Sequence, residues 1–242
     1  MNDHGTKESN GSLSGPHPSG EGLFWRAWPC AECSKSVNPI SHLIGSASSN
    51  SELLSGLRQE VTARQTAALL SWVEGCSHTT WEPFRFPKIT QGSEHAVYLE
   101  EGSTDVFKVT LEGTYGDFYY LVNGKVNQEK STPLEYLVRL HLWKKLFGVA
   151  PYPKGITRQG YIVTTQTFMP GLPPTQEEVD LFLQESGLVP VKASCFLWKK
   201  EKDYSGLEIW IGDTRDENFV KTESGIVPID IRLWFFPLLI QW

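Results

Sequence analysis

Residues 132–147, T-P-L-E-Y-L-V-R-L-H-L-W-K-K-L-F, constrain the fold more than any other stretch of this chain. Thr132 as N-cap, Pro133 at the first helical position and Glu135 at the third make a capping-box start, and Gly148 supplies the stop. Leu134, Leu137, Val138, Leu140, Leu142, Trp143 and Leu146 cover most of the helix circumference, so the helix is expected to be largely buried. Glu135 then has three candidate duties: to cap this helix, to pair with Arg139 one turn on, or to reach Lys108 on an earlier strand.

The 242 residues suffice for one domain of ordinary size or a slightly small two-lobed one. A net charge of -6 leaves no basic footprint, so nucleic acid is not an expected partner. No run reaches the roughly 18 apolar residues that a spanning helix needs, so no membrane span is expected. The closing L-W-F-F-P-L-L-I-Q-W is apolar but too short. The polar N-terminus carries no secretory signal pattern. Cys30 and Cys33 form a lone C-x-x-C with no second pair to complete a zinc site, and Cys76 and Cys195 stand apart. Free thiols without a disulfide framework fit a reducing, cytoplasmic setting.

Residues 1–50, rich in Ser, Gly, Asn and Pro, read as a disordered arm in which the Phe24–Trp28 aromatic cluster is a possible docking element. Residues 51–84 read as a support helix beginning at Ser51 and ending at Gly75. A three-stranded meander is expected over 87–91, 95–99 and 105–110. Gly92 sits at its first turn, followed by Ser93 and Glu94, and Lys108 alternates with Phe107 and Val109 on the third strand. Residues 113–131 read as a long polar and aromatic loop. Two further strands are expected over 155–157 and 161–166, and the break at 168–171 reads as a hinge before a short helix over 176–186. A second β region is expected from 189 onward.

The segment 211–231, I-G-D-T-R-D-E-N-F-V-K-T-E-S-G-I-V-P-I-D-I, carries the densest polar pattern. Asn218 follows Asp213 by five residues, and two short apolar runs flank a Thr-Glu-Ser-Gly turn before Asp230. One carboxylate to orient a hydroxyl, with an Asn and a second carboxylate to hold Mg²⁺, is the set that phosphoryl transfer uses. Ordinary turn residues of a surface hairpin would give the same letters. Arg215 either neutralises a transferred phosphate or pairs with Asp216 or Glu217.

From about residue 85 to 232 the order of these parts resembles the protein-kinase-like fold. Its wording is closest to the small kinase-like domains of phage and mobile-element polyvalent proteins. The stretches that carry the likeness are G-S-E-H-A-V-Y at 92–98, T-P-L-E-Y-L-V-R-L at 132–140, Q-T-F-M-P-G at 166–171, D-T-R-D-E-N-F-V at 213–220 and P-I-D-I at 228–231. The resemblance implies an α+β, two-lobed fold, with 85–171 as its N-terminal lobe and a minimal C-terminal lobe over 172–242. It also implies an ATP- and Mg²⁺-dependent phosphotransferase acting on a hydroxyl of a protein or small molecule, or else a nucleotide-binding pseudokinase or non-catalytic interaction domain. Gly92, Ser93 and Glu94 would cover the phosphates, and Lys108, held by Glu135, would contact them. Backbone groups of Gln166, Thr167 and Phe168 would bind adenine. Asp213 would orient the acceptor hydroxyl, and Asn218 and Asp230 would hold Mg²⁺. The chain departs from the family pattern in having one glycine in the first turn, Gly212 rather than His before Asp213, and Ile231-Arg232 after Asp230.

Overall fold

The computed structural model describes residues 51–75, 81–122, 124–204 and 207–236. The expected arm, with Cys30, Cys33 and the Phe24–Trp28 cluster, lies outside the described residues, as do Cys76 and the end of the apolar tail from 237. Alternating apolar residues build the expected meander: β1 (Lys88–Gln91), β2 (His95–Leu99) and β3 (Asp105–Thr110), all antiparallel. Trp81 and Phe86 cover its outer face, their rings 4.3 and 5.6 Å from that of Phe107.

Residues 113–131 depart from the expected loop. Asp117–Val122 (β4) and Lys125–Lys130 (β5) pair as an antiparallel hairpin turned at Gly124, whose φ is +74°. Phe118, Tyr119 and Tyr120, within the expected polar and aromatic loop, lie on β4.

The helix α1 (Ser51–Gly75) precedes the meander, and α2 (Pro133–Phe147) follows the hairpin. The capping box forms as expected: Thr132 Oγ1 accepts from Glu135 N, and Glu135 Oε2 accepts from Thr132 N at 2.7 Å. Gly148 closes α2 at a left-handed φ of +73°. β6 (Tyr152–Ile156) and β7 (Ile162–Thr167) then return to the meander, giving a five-stranded sheet in the order β1-β2-β3-β7-β6. Lys108 pairs with Val97 on one side and Thr164 on the other.

After the break, Thr175 and Glu178 form a second capping box at the head of α3 (Gln176–Glu185). The chain then lays down β8 (Val189–Pro190), β9 (Trp198–Tyr204) and β10 (Leu207–Gly212), the 3₁₀ turn Asp216–Asn218, the hairpin β11 (Phe219–Thr222) with β12 (Gly225–Pro228), and finally β13 (Arg232–Phe236). β13, β10, β9 and β8 make a four-stranded antiparallel sheet. Among the described residues the fold is therefore mixed α+β, with three α-helices and antiparallel strand pairs.

α2 joins the two sheets because it is apolar on nearly every side. Tyr136, Leu137 and Leu140 pack with Ile156, Ile162 and Leu69 of α1. Leu142 and Trp143 pack with Val179 and Leu183 of α3 and with Ile209, Ile211 and Leu233 of the second sheet. Trp143 is 1 % exposed, a position where truncation to Ala costs about 3–5 kcal/mol.

Candidate functional site

Lys108, Asn218, Asp213 and Asp230 come together although four different parts of the chain supply them. β3 aims Lys108 at the turn between β12 and β13. There Nζ donates to Ile229 O at 2.6 Å and lies 3.8 Å from Asp230 Oδ1. The Asp230 side chain is 54 % exposed, whereas that of Lys108 is 11 % exposed, so the carboxylate faces outward from a cation fixed in the wall. Ile229 N and Asp230 N both donate to Asn218 O, at 2.8 and 3.3 Å, which ties this turn to the 3₁₀ segment. Asn218 Nδ2 donates to Asp213 O at 2.7 Å, completing the chain of contacts.

Asp213 is the one non-glycine residue with positive φ among the described residues, at 59°. That left-handed conformation is uncommon outside glycine, and Asp and Asn tolerate it best. The Asn218 amide stabilises it from beneath by binding the Asp213 carbonyl. Its carboxylate is engaged on both oxygens: Arg215 Nε donates to Oδ1 at 2.9 Å, and Arg232 Nη2 stands 3.6 Å from Oδ2. Arg215 also pairs with Glu217 at 2.6 Å, one of its two expected acidic partners, while Asp213 rather than Asp216 takes its Nε.

A second polar cluster lies behind this one. Glu94 is 8 % exposed and binds the Arg139 guanidinium through both oxygens, while Arg232 Nε approaches it at 4.0 Å. His95 Nε2 lies 2.9 Å from Tyr136 Oη and 3.3 Å from Glu94 Oε1. Burial works to raise the Glu94 carboxyl, but Arg139 and His95 outweigh it and hold it below its ordinary range. Asp230 is also held low: loss of water pushes upward, and Lys108, His95, Arg139 and Arg232 together pull further down. Burial presses the His95 imidazole down to about 4, so it is neutral at pH 7 despite the nearby Glu94 and Asp230.

Two of the expected roles change. Glu135 does not reach Lys108. Its Oε2 takes Thr132 N and the Arg58 guanidinium at 2.5 Å, and Arg58 also donates to Lys130 O at 2.8 Å. The local cap and a cation from α1 occupy its carboxylate. Glu94 does not stand over a ligand from the first turn either, because Arg139 one turn along α2 draws it inward. Gly92 N closes the turn on His95 O at 2.9 Å, and both Gly92 and Ser93 stay exposed. At the other end of the sheet, Gln166 and Thr167 finish β7, and Phe168 N donates to Thr104 O at 2.7 Å with its ring 57 % exposed. Leu172 then bridges to Lys221 of β11, and Gly171 lies so close to Val220 and the Lys221 carbonyl that a Cβ would collide with both.

No group of three or more His, Cys, Asp or Glu side chains capable of holding a metal occurs among the described residues. Mg²⁺ chemistry here would rest on two oxygens, the Asp230 carboxylate and the Asn218 amide oxygen, whose Nδ2 is already spent on Asp213. Mg²⁺ ordinarily keeps several waters and takes one or two protein oxygens together with phosphates, so two such oxygens would be enough in number to hold it. Sequence reasoning missed Arg232, Asp117 and Tyr119, which converge beside Asp213; Arg232 Nη1 lies 3.0 Å from Asp117 Oδ2 and 2.9 Å from Tyr119 Oη. Compared with protein-family models, curated proteins and solved structures, the chain matches none.

Proposed function

We propose that this chain is a kinase-like phosphotransferase that uses ATP and Mg²⁺ to phosphorylate a hydroxyl of a protein or small molecule. The observation that carries the reading is the unbroken run of contacts Lys108–Asp230–Asn218–Asp213, drawn from β3, the β12–β13 turn, the 3₁₀ segment and the end of β10. A lysine for the phosphates, two oxygens for Mg²⁺ and a carboxylate for the acceptor are the parts phosphoryl transfer needs, and the contacts above make the residues that bear them neighbours. The two-lobed kinase-like architecture belongs to the same proposal, with the 168–171 break as hinge and 172–236 as a reduced second lobe.

In the reaction, the acceptor oxygen forms a bond to the γ-phosphorus. The bond from that phosphorus to the β–γ bridging oxygen breaks, and its electron pair leaves with ADP. Asp213 orients the acceptor hydroxyl and receives its proton, which passes on to solvent. Lys108 offsets phosphate charge. Bound Mg²⁺ would supply charge neutralisation on the phosphate oxygens, held by Asn218 and Asp230.

The alternative is a nucleotide-binding module without turnover. It is favoured by one observation: both Asp213 oxygens are already engaged by arginines. One pair of variants separates the two readings. ATP with Mg²⁺ is expected to raise the melting temperature of the full chain, and Asp230→Ala to abolish that rise. Asp213→Asn is expected to keep the rise and lose phosphate transfer. A wild-type chain showing the rise without transfer favours the binding module, and one showing no rise removes both readings.

A further inference from the structure

Arg232 occupies a position for which the phosphotransferase reading supplies no role. Its backbone is set by register: β13 pairs antiparallel with β10 so that Arg232 lies opposite Gly212, the residue before Asp213. A Cβ at Gly212 would stand 3.0 Å from both the Trp234 and Tyr119 rings, so a larger residue there would push against both. With that space kept by aromatic rings, the Arg232 side chain is 14 % exposed and its guanidinium is spread between two elements. One amino group holds the β4 strand through Asp117 Oδ2 at 3.0 Å and Tyr119 Oη at 2.9 Å. The other faces Asp213 Oδ2 at 3.6 Å. The planar guanidinium suits this, because its fixed fork transmits the placement of one partner to the other.

We propose that Arg232 is a positioning residue for Asp213, and that the β4–β5 hairpin, through Asp117 and Tyr119, sets the direction in which the Asp213 carboxylate points. The inference rests on the phosphotransferase reading. Asp213 is held in a left-handed backbone conformation whose carbonyl is fixed by Asn218, which leaves the side-chain torsions as its remaining freedom. Arg215 grips one carboxylate oxygen from a side chain that is 47 % exposed, an easily exchanged contact. Arg232 grips the other from a buried position braced by a separate hairpin. A substrate hydroxyl can therefore displace Arg215 while Arg232 keeps the carboxylate aimed. The hairpin, inserted between the strand that carries Lys108 and the helix α2, thereby becomes part of the active-site support.

The test uses the full chain and hydrolysis of ATP, with water as acceptor, followed as phosphate release. Arg232→Gln is expected to lower kcat on the order of 10²-fold, the usual consequence of misplacing a reacting group by about an ångström. The KM for ATP and the ATP-induced rise in melting temperature are expected to stay within about twofold, because Arg232 makes no direct contact with the Lys108–Asp230 pair and contributes least of the four groups that lower the Asp230 carboxyl. Tyr119→Phe removes one brace without creating a cavity and is expected to lower kcat roughly 3- to 10-fold, so it carries the test if Arg232→Gln fails to fold. In an Asp213→Asn background, Arg232→Gln is expected to cause no further loss, because it acts through that carboxylate. Unchanged kcat in both variants, a loss that appears in KM, or an equal loss in the Asp213→Asn background overturns the role of Arg232 and leaves the phosphotransferase reading standing. A wild-type chain that does not turn ATP over takes down that reading, and this one with it.

Discussion

Glu94 and Arg139 form a two-pronged ion pair 45 residues apart in sequence, both about nine-tenths or more buried, between the first sheet and α2. Burying two charges is offset only while each keeps the other, so removing one partner leaves an uncompensated charge in the interior. Glu94→Gln and Arg139→Leu are each expected to destabilise the chain by about 3–5 kcal/mol, read as a lowered midpoint in urea unfolding. The double variant Glu94→Leu/Arg139→Met is expected to be considerably less unstable than the sum of its parts. Additive losses would mean that the two residues do not depend on each other.

Gly116 closes the cover over that pair. Its φ is +81°, and an added Cβ would lie 2.6 Å from Arg139 Nη1 and 2.7 Å from Glu94 Oε2. Gly116→Ala therefore combines a left-handed backbone penalty with displacement of an ion pair that has nowhere else to go. A loss of about 1–3 kcal/mol is expected. Gly102→Ala is a useful control: its φ is +76° but nothing lies within 4 Å, so it carries the backbone penalty alone. Equal losses at the two positions would show that the contact with the ion pair contributes nothing.

His95 makes the fold acid-sensitive well above the carboxylate range. Burial holds its folded-state pKa at about 4, below the ordinary 6.5, with Glu94 and Asp230 opposing and Arg139 and Lys108 assisting the depression. Between pH 6.5 and 4 the unfolded chain binds more protons at this residue than the folded chain, so stability falls as pH falls. The loss from this group alone is about 2 kcal/mol between pH 7.5 and 5, and it levels off below pH 4. Glu94 adds a further loss only as pH drops below about 4.5, because its folded-state pKa is depressed and its stabilisation disappears on protonation. Unfolding free energies at pH 7.5 and 5 are expected to differ less in His95→Gln than in wild type. An unchanged difference would rule His95 out as the source.

Much of this was legible from sequence because it is local. The α2 start followed from Thr132, Pro133 and Glu135, and the meander from alternation over 88–110, since capping and pleating act within a few residues. The 117–130 hairpin was missed because its aromatic residues face other elements, with Tyr119 against Trp234 and Arg58 over Phe118, although the Asn123-Gly124 pair is a tight-turn signal that flags it in the sequence. Arg139, an expected partner of Glu135, pairs with Glu94 instead, while Glu135 keeps its cap and takes Arg58: which cation each carboxylate holds depends on contacts 45 and 77 residues away. A further signal was available. Arg139 stands in a helix that is apolar almost all round, and a buried guanidinium requires a carboxylate from elsewhere. Arg232 offered no such sign, because its place beside Asp213 comes from the β10–β13 register.

That exchange yields a prediction separating the support of α2 from the chemistry of the site. If Glu135 held Lys108, removing either would weaken nucleotide binding alike. Instead Glu135 accepts from Thr132 N and from Arg58, so Glu135→Ala takes away half of a capping box and leaves a mostly buried arginine with the Lys130 carbonyl and the Phe118 ring but no carboxylate. The expected cost is about 1–2 kcal/mol of stability, within the range for a lost cap plus a partly exposed ion pair. The rise in melting temperature given by ATP with Mg²⁺ is expected to persist on that lowered baseline. Lys108→Ala is expected to do the reverse. Its Nζ binds Ile229 O and faces Asp230, so its loss frees a turn at the site while the helix cap stays whole, and the ATP-induced rise disappears. Paired melts of the two variants, with and without ATP and Mg²⁺, read both effects in one experiment. Loss of the ATP response in Glu135→Ala at retained fold would restore the direct Lys108–Glu135 link in place of the separate partners each residue holds.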